Sequence, residues 1–424
     1  MSVASFLRIS LFSFALFVSI YAARSFDHAA RRTAMTRIKA SNWSCKVKTW
    51  TSVVRGTLPP KAVALKSSSI ASESLVPCRL QTAVFSSQGV RRLENASDYS
   101  IESVVQNQQS VLPKAFLDKT HHYLLVMCIS EESRVITKKL ENTFQSMRLF
   151  MTNFNTRIII FSSSPAIAKY CLPLGFDIVP SYLTNFAGMP LLREMYKAAK
   201  RLYSADYYGY TNSDILISAS LFPILVETRR HYQNHELTDG HFVSAVVYNI
   251  FTPPSIPTES PEAYTTFIND GMHKVRPRLV YCSDFWIFHQ SMDFDLIGDV
   301  VIGRGWVDNY IMGLVGTLKR SMVDVTYGAI ALHQGLDTSS DRNAMKRDYS
   351  DLNFNQYCEK MQRIQGFYMS IPGDKVAYWN NDQRLVFENW NNAEGRDRKR
   401  SRLLYEVRYS NRQMPTSFVK IESS

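Results

Sequence analysis

The chain has 424 residues, a mass of 48.6 kDa and a formal charge of +12. At 45% hydrophobic and 12% aromatic it buries a sizeable core, which excludes a wholly disordered chain. With 17 Gly and 16 Pro it is not collagen-like, and one apolar stretch long enough to approach a bilayer span excludes a multi-span carrier.

The positive charge is unevenly placed. Residues 1–120 hold 16 Lys/Arg against 6 Asp/Glu, and a second basic cluster lies at Arg396, Arg398, Lys399, Arg400 and Arg402. Both read as solvated segments, so no nucleic-acid partner is expected.

Residues 9–22 (ISLFSFALFVSIYA) are apolar and uncharged. They suit a short signal anchor or a signal-peptide core, and residues 1–23 are assigned to it. Arg24, Arg31, Arg32 and Arg37 follow and oppose a luminal C-terminus by the positive-inside tendency; they also suit a mitochondrial presequence. The sequons Asn42-Trp43-Ser44 and Asn95-Ala96-Ser97 favour the secretory route. The resulting expectation is a single-pass type II protein of the Golgi or ER membrane with a luminal catalytic domain, or alternatively a secreted one.

Residues 24–120 lack sustained periodicity and read as a basic stem of low order. Cys45 with Cys78 would bridge that stem in an oxidising lumen, whereas Cys128 and Cys282 lie in apolar runs and read as buried thiols. No CxxC pair occurs, which argues against a zinc ribbon.

The pattern changes at Tyr123. Residues 123–129 (YLLVMCI) predict a strand buried on both faces, and 133–149 recur with helical spacing. Strands follow over 157–161 and 176–179, separated by a helix opening at Pro165. Residues 190–203 predict a helix, 207–210 a strand, and 215–217 another. Further strands are expected over 242–249 and 279–288, with helices over 307–318 and 351–370. The five prolines of 252–278 predict a long loop. Alternating strands and helices make residues 121–390 an α/β domain with a mostly parallel central sheet flanked by helices, and 391–424 a basic tail.

Thr211-Asn212-Ser213-Asp214-Ile215-Leu216 carries the chemistry. Polar residues here follow an apolar strand, and ligands of open α/β sheets bind at such carboxyl ends. Asn212 and Asp214 would present hard oxygens to one Mg²⁺ or Mn²⁺ ion, or form an Asx turn capping the next element.

This segment, with Ser283-Asp284-Phe285-Trp286-Ile287-Phe288 and Ile302-Gly303-Arg304-Gly305-Trp306-Val307-Asp308-Asn309-Tyr310, resembles nucleotide-diphospho-sugar transferases of the GT-A fold. The likeness covers roughly residues 122–335, with Asn212 standing at the first acidic position of the DxD motif. It implies a glycosyltransferase moving a sugar from a nucleotide-diphosphate donor to a hydroxyl of a glycan, protein or lipid, assisted by Mn²⁺ or Mg²⁺. A catalytically inactive nucleotide-sugar-binding module on the same fold is the alternative.

By that resemblance Asp214, Asn212 and His333 would hold the metal, and Asp308 would be the base of an inverting reaction. Asp284, Trp286, Arg304 and Asn309 would contact donor or acceptor sugar, and Ser130, Glu131 and Arg193 the nucleotide. Read without it, Asp308 is a first-turn acid of its helix, His333 a buried structural histidine, Trp286 a core residue and Arg193 a solvated helix residue.

Overall fold

The computed structural model describes residues 82–86, 89–92, 121–272, 276–277, 283–335, 354–364, 375–380 and 384–389. All belong to one compact unit, Ser74–Ser424. The anchor, most of the stem, the basic tail, both sequons and Cys45, Cys78 and Cys282 lie outside the described residues.

In chain order the elements are β1 (Thr82–Ser86), β2 (Gly89–Arg92), β3 (His122–Ser130), α1 (Lys138–Asn153), β4 (Thr156–Phe161), α2 (Pro165–Cys171), β5 (Asp177–Val179) and β6 (Tyr182–Asn185). Then come α3 (Leu192–Leu202), β7 (Ser204–Thr211), β8 (Ile215–Ile217), α4 (Leu221–Gln233), β9 (Phe242–Ser244), β10 (Val247–Ile250), α5 (Pro261–Met272) and β11 (Arg276–Pro277). The chain continues with β12 (Phe285–His289), α6 (Val307–Thr317), β13 (Met322–Asp324), β14 (Ala331–Gln334), α7 (Phe354–Met361), β15 (Lys375–Trp379) and β16 (Leu385–Asn389). No described helix is long and apolar enough to cross a membrane.

The central sheet has the order β16-β15-β13-β9-β12-β7-β3-β4-β5. Its pairings are parallel except for β12, which opposes both β7 and β9, and the β15–β16 hairpin. The expected fold class, a mostly parallel sheet flanked by helices, is therefore the one observed. Two smaller sheets accompany it, β2-β1-β6 and β11-β10-β14-β8.

Burial on both faces explains the continuous apolar run of β3. Leu125, Met127 and Ile129 enter a core shared with α1, α4 and the β8–β14 sheet. Val126 and Cys128 enter the opposite core, built with α3 and α6. Cys128 and Cys171 are buried thiols, and burial pushes the Cys171 thiol up to about 12. At Gly209 on β7 the sheet leaves no room, since a Cβ there would stand 2.8 Å from Met127 Sδ.

Several expectations are corrected. The 252–278 segment holds helix α5, opened by Pro261, with Tyr264, Thr265 and Ile268 buried. The single strand expected over 242–249 is two strands in different sheets, because the chain leaves the central sheet after Ser244. There Val246 N–H donates to Thr326 Oγ1 rather than to a ladder. The helix expected from 133 starts at Lys138, because Glu131 and Ser133 close a loop on each other first. The helix expected over 351–370 is described as Phe354–Met361, and the strand of 279–288 as Phe285–His289.

Candidate active site

The parallel strands β3, β4 and β7 end on one edge of the sheet, and β12, running the other way, begins there. Register puts Thr211 of β7 opposite Phe285 of β12, so Asn212 and Asp284 meet just past the ladder. They are joined twice. Asn212 N–H donates to the Asp284 carbonyl at 3.0 Å, and Asn212 Nδ2 donates to Asp284 Oδ1 at 3.0 Å. Tyr210 Oη donates to Asn212 Oδ1 at 3.0 Å. An amide at 212 thus does what a carboxylate cannot, because it donates to one neighbour while accepting from the other.

Ser213 Oγ donates to Glu131 Oε2 at 2.5 Å, tying this turn to the loop after β3. Asp214 faces the adjoining small sheet. Its Oδ2 lies 3.4 Å from His333 Nε2 and 3.4 Å from Lys139 Nζ. Burial opposes ionisation of Asp214, but His333 and then Lys139 outweigh it and hold the carboxyl below the ordinary range. His333 reaches this point because β14 pairs with β8, where His333 stands opposite Ile215.

Asp308 lies in the first turn of α6, where a carboxylate also suits the helix dipole. Its Oδ2 accepts from Ser283 N–H at 3.3 Å, which links α6 to the residue before Asp284. Three blocks far apart in sequence therefore meet at one edge of the sheet, with Asn212, Asp214, Asp284, Asp308, Glu131 and His333 around it. Ser130 ends β3 beside Tyr182.

Three expected contacts are corrected. Trp286 is 1% exposed and stacks on Tyr210 at 5.3 Å, so its ring meets core and offers no face to a sugar. Its service is indirect, since Tyr210 is the residue that supports Asn212. Arg193 pairs with Glu194 at 2.9 Å and Asp299 at 2.7 Å, which occupies its guanidinium. This is a buried structural ion pair rather than a nucleotide contact. Asn309 is buried beside Asp308, and its Oδ1 makes no hydrogen bond. It too presents no open surface to a sugar. Arg304 remains on the loop before α6, where Nη1 donates to the Gly303 carbonyl at 3.1 Å.

Among the described residues no three His, Cys, Asp or Glu side chains converge on one point. The donors present nevertheless fit a divalent cation in kind. Asp214 Oδ2 and His333 Nε2 converge, and Asn249, the register partner of His333 on β10, carries a buried Oδ1 without a hydrogen-bond partner. A carboxylate, an imidazole and an amide oxygen are ligands that Mn²⁺ accepts. Asn212, whose amide is engaged at both ends, is the weakest of the expected ligands.

No family model matches the chain, and no curated protein matches it in sequence. Among solved structures it is similar to the mannosyltransferase PcManGT from Pyrobaculum calidifontis, in complex with GDP-Man and Mn²⁺, at 9% identity and a TM-score of 0.33. That match covers 63% of this chain and 73% of the other. It is also similar to glucosyl-3-phosphoglycerate synthase from Mycobacterium tuberculosis, in complex with Mn²⁺, UDP and phosphoglyceric acid. There the identity is 10% and the TM-score 0.30, over 69% of this chain and 91% of the other. S. aureus TarS 1–349 matches at 10% identity and a TM-score of 0.27, over 56% of this chain and 69% of the other.

Sequence reasoning missed Lys139 and Asn249. Lys139 carried a signal: a lysine in the first turn of a helix opposes the dipole and needs an acidic neighbour from elsewhere. Asn249 carried none, because only strand register brings it beside His333.

Proposed function

We propose that the chain is a glycosyltransferase that moves a sugar from a nucleotide-diphosphate donor to a hydroxyl acceptor. The observation that carries this reading is the meeting of Asp214, His333, Asp284 and Asp308 at the carboxyl ends of the central strands, where open α/β sheets take their ligands.

Asp308 acts as the base. It takes the proton of the acceptor hydroxyl as that oxygen bonds to the sugar carbon and the diphosphate departs from the opposite side, which inverts the anomeric centre. Asp284, fixed by Asn212 and half of the same loop as Ser283, accepts hydrogen bonds from sugar hydroxyls. Asp214 and His333, with Asn249, would hold a Mn²⁺ or Mg²⁺ ion, which when bound stabilises negative charge on the leaving diphosphate. Glu131 and Ser130 border the side where the nucleoside lies. The membrane-anchored, luminal placement belongs to this proposal through residues 1–23 and rests on their sequence alone.

The test is turnover of a nucleotide-sugar panel by the full-length protein, with and without Mn²⁺. Normal turnover by a folded Asp214→Ala variant defeats the assignment. Nucleotide binding without transfer or hydrolysis under any metal makes the chain a binding module instead.

A further inference from the structure

Lys139 has an unusual position. Its ammonium stands in the first turn of α1, where the helix end is already positive and a cation is disfavoured. The backbone is nonetheless bolted there. Gln334, fully buried and next to His333, donates from Nε2 to the Lys139 carbonyl at 3.0 Å and to Thr143 Oγ1 at 3.1 Å. Its Oε1 accepts from Asn142 Nδ2 at 3.0 Å, and its N–H donates to the Asp214 carbonyl at 3.0 Å. One glutamine therefore fixes Lys139, Asp214 and His333 relative to each other.

The Lys139–Asp214 contact is long for its type. At 3.4 Å it falls short of the 2.7–2.9 Å of a closed charge-assisted hydrogen bond. The side chain keeps 23% of its surface exposed, so it is confined but not sealed in. Position 212 also lacks the negative charge of a DxD site, and its amide is turned to Asp284. The balance of charge around Asp214 is shifted towards positive by the ammonium and the α1 terminus together.

We infer that Lys139 is the chain's own cation for the donor diphosphate. Resting on the transferase reading above, this assigns it a direct contact with the leaving group. The bond between the sugar carbon and the β-phosphate oxygen breaks, and its electron pair stays on that oxygen. Lys139 Nζ swings from Asp214 to donate a hydrogen bond to the diphosphate, while the acceptor oxygen bonds to the sugar carbon and its proton passes to Asp308. The products are the glycoside and the nucleoside diphosphate, and no other reagent is consumed. Diphosphate binding is then partly independent of a divalent cation.

Calorimetry on the full-length protein with UDP, GDP and inorganic pyrophosphate, in Mn²⁺ and in EDTA, tests this. The wild type is expected to bind at least one probe in EDTA. Lys139→Met is expected to weaken that binding by about ten- to a hundredfold, the range of a hydrogen bond to a charged group, and Lys139→Arg to restore most of it. Thermal melts establish that each variant is folded, and Lys139→Gln answers the same question if the Met variant is not. Should Lys139→Met bind in EDTA as the wild type does, the inference fails and the transferase reading stands. A variant altered only in Mn²⁺ affinity also overturns it, because Lys139 then merely steadies Asp214. A wild type that binds no probe under either condition overturns both.

Discussion

Far from the strand ends, two histidines make this fold sensitive to acid. His241 and His289 are 0% and 3% exposed, and their rings stack at 4.7 Å. Tyr207 Oη lies 3.2 Å from His241 Nε2, and Ser291 Oγ lies 2.7 Å from His289 Nδ1. Burial first, and for His241 the neighbouring His289 second, press the two down to about 3 and about 4. Asp206 and Asp239 act against this from one side and Lys200 with it. A histidine depressed in the folded state binds fewer protons there than in the unfolded chain. Its contribution is intact above the ordinary histidine pKa of about 6.5 and is lost as pH falls towards the folded value.

At pH 5 each loses about 2 kcal/mol, so the pair costs roughly 4 kcal/mol of a total that is usually 5–15 kcal/mol. Urea unfolding between pH 8 and pH 5 measures this directly. In a His241→Gln, His289→Asn double variant, Gln reproduces the Nε2 position and Asn the Nδ1 position, so the bonds to Tyr207 and Ser291 are kept without the titration, and the contact of His241 Nδ1 with the Thr238 carbonyl is given up at every pH alike. The variant's stability is expected to stay nearly flat across that range. Wild type and variant losing stability in parallel would refute the reasoning, since the protons would then be taken up elsewhere.

Four further outcomes are expected. Asp308→Asn, which removes the proposed base but keeps its shape, lowers kcat by about 10²–10⁴-fold with nucleotide binding unchanged, as turnover and calorimetry report. Asn212→Asp sets two carboxylates against each other, loses the bond to Asp284 and destabilises the fold by about 1–3 kcal/mol in EDTA, with partial recovery in Mn²⁺, read from thermal melts. Arg193→Met takes from buried Glu194 and Asp299 the guanidinium they share and costs about 3–5 kcal/mol, whereas nucleotide affinity of the folded fraction is unchanged. Gly209→Ala drives a methyl into Met127 and Ile287 and costs about 1–3 kcal/mol by denaturant melts, with no change in metal response.

What could be read in the sequence was whatever local pattern decides. The run at 123–129 announces β3 because both its faces are buried, and the proline at 165 does open a helix, whereas the helix opened at Pro261 reads as loop in the sequence. At 261 the surrounding prolines hid the spacing of Tyr264, Thr265 and Ile268. The run at 242–249 gave no warning of the sheet change at Ser244, because either sheet accepts the same apolar residues. The site was legible where a polar residue interrupts an apolar run, as at Asp214, Asp284 and His333. Trp286 and Arg193 misled because an aromatic ring and a guanidinium serve cores and ion pairs as readily as ligands. Lys139 was marked only by its place in the first turn of a helix, which does not name its partner, and Asn249 depends on strand register between elements far apart in the chain, which no local pattern encodes.

The loop that leads into α6 is tied to the start of α3 by backbone bonds at Val300 and Ile302 and is clasped from the other side by one amide of α7. Asn355 Oδ1 accepts from Val301 N–H at 2.8 Å, while Nδ2 reaches the carbonyls of Val301 at 3.0 Å and Gly305 at 3.2 Å. Trp306, 38% exposed with a left-handed φ of 77°, and Asp308 follow directly on this clasp. During synthesis every strand around Asp214 therefore emerges before the buckle that sets the tryptophan rim. A chain ending before α7 would therefore carry all the strands around Asp214 yet leave Trp306 and Asp308 on a loop that lacks its amide clasp.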